Sequence, residues 1–192
     1  VDDLIEKYEL EIDKLKQYSS QLYEQYQGLE NEDLLGLGSV CDIITGKLNA
    51  NQSSENGLYP FFTCSQEEIK IDYFAFDTRA IIIAGNGDIS VKYYEGKFNA
   101  YQRTYVLNPQ KYFYLFLKEC ENSILSLKSF SRGSVIKFIT KDMLQNITIK
   151  LNSKSNLYNE KIGVVYQNIM NLKKKIDKLK QEKQHLLNKY FA

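Results

Sequence analysis

The sequence contains a single histidine, His185, and this shortage excludes most nucleophilic active sites. Serine and cysteine nucleophiles are commonly activated by a neighbouring histidine, and His185 falls within a long helical pattern near the carboxyl end. Gly85 and Gly87 lack the third glycine of a dinucleotide-binding turn. We therefore predict no catalytic site and no metal site, and expect a chain that binds rather than one that catalyses.

Cysteines and long apolar runs are scarce as well. Cys41, Cys64 and Cys120 are odd in number and have no Cys-x-x-Cys spacing, which argues against a disulfide framework and against structural zinc. No apolar run approaches 18 residues and no signal-peptide pattern is present, so no membrane contact is expected. These absences favour a cytoplasmic protein.

One helical pattern occurs twice in the chain. Residues 12–17 and 176–181 both read Ile-Asp-Lys-Leu-Lys-Gln. Around each copy, apolar residues recur at alternating steps of three and four, which is the pattern of a coiled coil. The residues expected to pair the helices are Ile5, Tyr8, Ile12, Leu15 and Leu22 in the first copy and Ile169, Leu172, Ile176, Leu179 and Leu186 in the second.

Opposite charge favours the pairing of these two helices with each other. Residues 1–35 carry a net charge of −7, and residues 156–192 carry a net charge of +5. Two like-charged helices would repel, whereas these attract. We predict an antiparallel coiled coil formed by residues 1–30 and 156–192, with a separate domain at 33–152. The alternative is a pair of surface helices packed on one common core.

The middle domain has the pattern of an α+β fold with a mixed or antiparallel sheet. Short apolar and aromatic runs separated by polar turns predict strands, and a period near 3.6 predicts one helix. A turn is expected at Glu95-Gly96. The predicted strands are 37–44, 59–63, 80–84, 89–94, 103–107, 135–139 and 147–151, and the predicted helix is 110–127.

Polar, glycine-containing loops of the middle domain predict a nucleic-acid surface. Residues 36–155 have a mild basic excess of +3. Lysine pairs with phosphate, arginine can bind guanine bidentately and glutamine can bind adenine, although each residue taken alone is also typical of a solvated turn. Lys47 and Lys97 are the phosphate candidates, and Gln102, Arg103 and Arg132 are the base-edge candidates. The full predicted set is Thr45, Gly46, Lys47, Asn86, Lys97, Gln102, Arg103, Ser131 and Arg132.

Several segments, taken in order, resemble the DNA-specificity subunit of type I restriction–modification systems. Leu37–Lys47 is similar to the start of that family's target-recognition domain. Gly57-Leu58-Tyr59-Pro60-Phe61-Phe62-Thr63 is similar to its G-x-Y-P-f-f-t stretch, and Leu186–Phe191 resembles the end of its spacer helix. The sequence contains one such domain, so the resemblance is to a half-unit with one target-recognition domain, either a half-subunit or a fragment of a longer one.

The resemblance implies both a fold and a division of labour. The recognition domain would be flanked by two conserved helices and would read one half of a bipartite site in double-stranded DNA. Modification subunits would supply methyl transfer with S-adenosylmethionine, and a restriction subunit would supply ATP- and Mg-dependent cleavage, so this chain would hold no cofactor. Self-association of two half-units would restore two recognition domains.

Two other interpretations of the sequence remain open. The chain could be a coiled-coil interaction module, or scaffold, that binds no DNA. A weaker alternative is a nuclease that uses Glu68 and Lys70, which have the Glu-x-Lys spacing of many metal-dependent nucleases. Salt-dependent DNA binding would separate the first alternative from DNA recognition.

Overall fold

A computed structural model describes residues 1–67, 69–130 and 138–191. The chain forms two compact units, one made of residues 1–30 together with the segment from Ser153 onward, and one made of residues 31–152. The elements in chain order are α1 (Asp2–Gln27), β1 (Asp33–Gly36), β2 (Ile43–Thr45), β3 (Tyr59–Phe62), β4 (Ile69–Ile71), β5 (Phe76–Ala84), β6 (Val91–Ala100), β7 (Thr104–Leu107), α2 (Phe113–Phe130), α3 (Lys141–Gln145), β8 (Thr148–Leu151) and α4 (Ser155–Phe191).

The first unit is an antiparallel pair of long helices, α1 and α4, as the repeated pattern predicts. At one end, the Lys183 ammonium lies 2.6 Å from the Asp2 carboxylate. At the other end, the Tyr26 hydroxyl lies 2.7 Å from the Ser155 hydroxyl. Between them, Lys180 of α4 lies 3.9 Å from Glu9 of α1, so the opposite charges of the two helices face each other.

Apolar residues at the alternating positions line the contact between α1 and α4. Ile5, Tyr8, Leu15 and Leu179 are half-buried. Leu186 differs, because 48% of it is exposed; it lies beyond the Asp2–Lys183 contact. The fully buried positions of the predicted set are Ile12, Leu22, Ile169, Leu172 and Ile176.

The second unit is an α+β domain with a six-stranded mixed sheet, as expected. The strand order is β2-β7-β5-β6-β3-β4, in which β3 and β6 run parallel and the other neighbours run antiparallel. A separate two-stranded sheet pairs β1 with β8. Strand β5 is central because it pairs with both β6 and β7, and its residues Ala80–Ala84 are buried.

Both faces of β5 are covered, which explains its unbroken run of isoleucines. Ala80 and Ile82 belong to a cluster with Phe98, Ala100 and Val106. Alternate residues on β5 point to the opposite face of the sheet, and there Ile81 and Ile83 are also fully buried. Helix α2 packs against β6 and β8 and contributes its own buried residues, Leu115, Phe116 and Leu117.

The turn expected at Glu95-Gly96 was wrong, because β6 runs through it. Gly96 pairs with Thr78 of β5 and has a φ of +131°, a conformation that glycine adopts without steric cost. The long antiparallel pairing with β5 overrides the local turn signal.

Other boundaries also differ from the prediction. The strand expected at 37–44 is instead a short 3-10 turn, Leu37–Ser39, followed by β2. Helix α2 begins at Phe113 rather than at residue 110, after Tyr112 with a φ of 52°. Of the strand expected at 135–139, residues 135–137 lie outside the described ranges, and Phe138 forms an isolated bridge. The sequence did not predict β1, β4 or α3.

Within the described ranges, no helix combines the length and apolarity required to cross a membrane.

Candidate nucleic-acid interface

Four polar segments come together next to strand ends of the six-stranded sheet, and we call them the loop cluster: residues 45–49, 62–66, 85–88 and 101–104. Segment 101–104 connects β6 to β7 and is the centre of the cluster. Each of the other three segments hydrogen bonds to it through the backbone, so the loops are fixed to one another. The bonds that hold them are Gly46 N to Thr104 O (3.2 Å), Gln102 N to Leu48 O (2.9 Å), Tyr101 N to Phe62 O (2.9 Å) and Gly85 N to Arg103 O (2.9 Å).

Gly46 allows the first segment to approach the centre of the cluster. A Cβ atom at this position would lie 1.8 Å from the carbonyl oxygen of Ala100, a distance that no side chain tolerates. Leu48 then forms a parallel bridge with Tyr101. The neighbours of Gly46, Thr45 and Lys47, are exposed beside this close contact, so their backbone positions are fixed while their side chains face solvent.

Gly85 has the equivalent role for the third segment. Its amide donates to Arg103 O at 2.9 Å, and its carbonyl accepts from Ile139 N at 2.7 Å. A Cβ atom here would lie 2.5 Å from Arg103 O. Asn86 follows directly and forms a bridge with Phe138. The third segment, which follows the end of β5, is therefore held by hydrogen bonds to Arg103 on one side and Ile139 on the other.

Six of the nine predicted DNA-contact residues belong to the loop cluster. Lys97 does not: it lies within β6, paired in register with Asp77, and its ammonium is 4.7 Å from the centre of the Phe74 ring. Ser131 and Arg132 lie outside the described residues. The six that the fold brings together are Thr45, Gly46, Lys47, Asn86, Gln102 and Arg103.

Polar groups that sequence reasoning did not single out lie in the loop cluster or donate to it. Asn49 accepts a hydrogen bond from the Gln102 side chain, at 2.9 Å from Nε2 to Oδ1. Lys92 of β6 donates from Nζ to Ser65 O at 3.0 Å. The Cys64 thiol lies 3.5 Å from Arg103 O. Asn49 stands at the start of a polar loop, but its partner is 53 residues away, which no local pattern could show.

Tyr105 supports the cluster from β7. Its hydroxyl donates to Ile139 O at 3.0 Å. Burial raises the pKa of Tyr105, and the nearby Asp142 charge adds to this, so the phenol remains a neutral donor at physiological pH. This contact keeps residues 138–139 next to the third segment.

The described residues bear on the requirements of metal-dependent and cysteine-based catalysis. Across the described ranges, no group of three or more His, Cys, Asp or Glu side chains could hold a metal ion. Glu68 of the nuclease alternative lies outside them. A cavity of about 450 Å³ lies beside Cys41, Thr78 and Asn108, and burial raises the pKa of the Cys41 thiol to about 11. A thiol with this pKa is almost entirely protonated at neutral pH and is a poor nucleophile.

Comparison with known proteins shows the family of the chain. Residues 33–188 match the family described as "Type I restriction modification DNA specificity domain", and the chain belongs to this family. It is 38% identical over 151 residues to the type I restriction enzyme EcoDI specificity subunit of Escherichia coli, an alignment that covers 76% of this chain and 33% of that protein. The chain thus spans about a third of the length of that curated relative.

Two solved structures have the same fold. The S subunit of a type I restriction–modification system from M. genitalium matches with a TM-score of 0.70 at 18% identity, covering 100% of this chain and 57% of that one. The HsdS subunit from Thermoanaerobacter tengcongensis matches with a TM-score of 0.52 at 17% identity, covering 100% and 54%. The match to the family model over residues 33–188 confirms the family resemblance predicted from the sequence.

Proposed function

We propose that this chain recognises one half of a bipartite sequence in double-stranded DNA and directs a type I restriction–modification enzyme to it. The observation that carries the proposal is the loop cluster: an α+β domain of this family presents Lys47, Gln102, Arg103 and Asn86 from loops joined to one another by backbone hydrogen bonds. Charged and amide side chains on fixed loops are the groups that bind phosphates and base edges.

The chemistry of such an enzyme would belong to other subunits. We propose modification subunits, which use S-adenosylmethionine, and a restriction subunit, which uses ATP and Mg, as the partners of this chain. The chain itself would hold no cofactor and would perform no catalysis. Self-association through the helical unit would place two recognition domains on one DNA site.

The experiment is target-site profiling of the methyltransferase assembled with this chain, on a library of randomised DNA. The expected result is one short, defined half-site, which changes when residues 31–152 are exchanged for those of a relative with another target. An unchanged target after that exchange would contradict recognition by this domain. Absence of any salt-dependent DNA binding would instead support the interaction module that binds no DNA.

A matched pair of lysine variants tests the position of the interface. Lys47 lies in the loop cluster, and Lys111 is also exposed, on the connection between β7 and α2. Lys47→Ala should weaken binding on all sequences and reduce the salt dependence by about one counterion, because it removes a phosphate contact. Lys111→Ala should change neither quantity. Equal effects of both variants would indicate a diffuse charge effect rather than an interface at the loop cluster.

A further inference from the structure

The side chains of Gln102 and Asn49 form an exposed amide pair within the loop cluster. Gln102 Nε2 donates to Asn49 Oδ1 at 2.9 Å, although the residues are 53 positions apart in sequence. The backbone reinforces this contact, since Gln102 N donates to Leu48 O at 2.9 Å. The two residues are therefore joined by adjacent backbone and side-chain hydrogen bonds.

Asn49 is itself held in place from the other side. Its backbone amide donates to Gln52 Oε1 at 2.9 Å, and Gln52 N donates back to Asn49 O at 3.1 Å. These bonds close the 3-10 turn Ala50–Gln52 that follows Asn49. The Gln102 amide thus rests on a residue whose own position is fixed by a local turn.

Stability alone explains little of this arrangement. A hydrogen bond between solvent-exposed side chains replaces bonds to water, and holding a glutamine side chain in one rotamer opposes its conformational entropy. The arrangement does, however, leave recognition groups in a fixed position. Among the described residues, the Gln102 amide makes this one side-chain bond, and Gln102 as a residue is exposed, so its carbonyl oxygen and second N–H are available for a ligand.

We propose that Gln102 reads one adenine in the major groove and that Asn49 is the residue that positions its amide. Adenine presents an N6 donor and an N7 acceptor, which a glutamine amide matches with its oxygen and one N–H. Fixing the amide before DNA binds reduces the ordering cost of that contact. The inference rests on the proposed function and adds to it the base, the reading residue and the positioning residue.

The test compares base preferences of the assembled methyltransferase at each position of the half-site. Gln102→Ala should reduce the preference for adenine over other bases at one position by roughly 5- to 150-fold. The base preferences at the other positions should remain unchanged. Asn49→Ala should weaken the preference at that same position. Asn51→Ala is the matched control, because Asn51 is an exposed asparagine of the same turn, and it should leave the profile unchanged.

Two further variants separate positioning from direct contact. The double variant Asn49→Ala/Gln102→Ala should lose no more than Gln102→Ala alone, because Asn49 acts through Gln102. Gln102→Glu retains the carbonyl-type acceptor but loses the N–H donors, so the preference at that position should move from adenine towards cytosine, whose N4 group donates. This variant gives a gain of signal that loss of folding could not imitate.

The outcomes distinguish this inference from the proposed function. A wild-type profile with a defined half-site that Gln102→Ala leaves intact would overturn the adenine assignment while the proposed function stands. Additive losses at two different positions would show that Asn49 contacts DNA independently and is not a positioning residue. A wild-type profile without any base preference would overturn the proposed function itself.

Discussion

Tyr26 and Ser155 form a buried hydrogen bond that joins the carboxyl end of α1 to the amino end of α4, with 2.7 Å between their hydroxyl oxygens. Only 1% of Tyr26 and 2% of Ser155 are exposed. The Tyr26 ring also packs against Tyr158, with 5.5 Å between ring centres. The Asp2–Lys183 ion pair lies at the opposite end of the two helices. The Tyr26–Ser155 and Asp2–Lys183 contacts together fix the antiparallel register of α1 and α4.

Removing either hydroxyl should destabilise the helical unit. Tyr26→Phe and Ser155→Ala should each lower the free energy of unfolding by about 1 kcal/mol, and the double variant should lose less than the sum, since both changes delete the same bond. Urea unfolding followed by circular dichroism measures this. Tyr18→Phe is the control, because Tyr18 is 51% exposed on the same helix, and it should change little. Strictly additive losses would show that the two hydroxyls act separately.

The isoleucines of the repeated pattern should contribute more to the stability of the helical unit than exposed apolar residues do. Ile12 and Ile176 occupy the same place in the two copies of the pattern and are 6% and 5% exposed. Replacing either by Ala should cost about 2–4 kcal/mol, because the change removes buried methyl groups and leaves a cavity. Leu10→Ala, at a position 56% exposed, should cost under about 0.5 kcal/mol in the same denaturation experiment. Similar losses at all three positions would contradict the burial of Ile12 and Ile176 in the contact between α1 and α4.

The Asp2–Lys183 pair predicts a pH dependence at the far end of the helices. A hydrogen bond from Lys183, together with its positive charge, lowers the pKa of Asp2. A carboxyl group whose folded pKa lies below its unfolded value of about 3.9 stabilises the fold above that value, and the contribution is lost as the pH falls through the folded pKa.

Asp3→Asn provides the control for Asp2→Asn, because both residues are exposed acids in the first turn of α1. Near neutral pH, Asp2→Asn should melt at a lower temperature than Asp3→Asn, and the difference should vanish at pH values below the folded pKa of Asp2. Salt should also reduce it, since the pair is exposed and screened. A difference that persists in strong acid would show that the ion pair is not its cause.

The helical unit could be predicted from the sequence because its determinants are local and periodic. Leu186 is the exception, because the same pattern assigns it to the helix contact and the structure leaves 48% of it exposed. In the second unit, the turn signal at Glu95-Gly96 failed because β6 continues along β5, and this places Lys97 within a strand rather than in a loop. The Asn49–Gln102 hydrogen bond could not be predicted from the sequence either, because the two residues are far apart in the chain and meet only in the folded domain.

Gly46 should be the most sensitive glycine of the loop cluster. Gly46→Ala places a Cβ 1.8 Å from the Ala100 carbonyl oxygen, so the backbone of residues 45–49 has to move. We expect a loss of about 1–3 kcal/mol in the stability of the second unit, as for other overpacked positions, together with loss of DNA binding.

Gly28→Ala should have the opposite effect on the stability of the protein. Gly28 has a helical conformation, with φ −74° and ψ −9°, and a Cβ there would meet its nearest atoms at 3.6 and 3.7 Å, an ordinary contact distance. Alanine fits this conformation and restricts the unfolded chain, so it should stabilise the protein by about 0.4–1 kcal/mol. Thermal melting and DNA-binding assays of both variants test the pair. If Gly46→Ala retained wild-type melting and affinity, the close approach of the first segment to Ala100 would not fix the loop cluster.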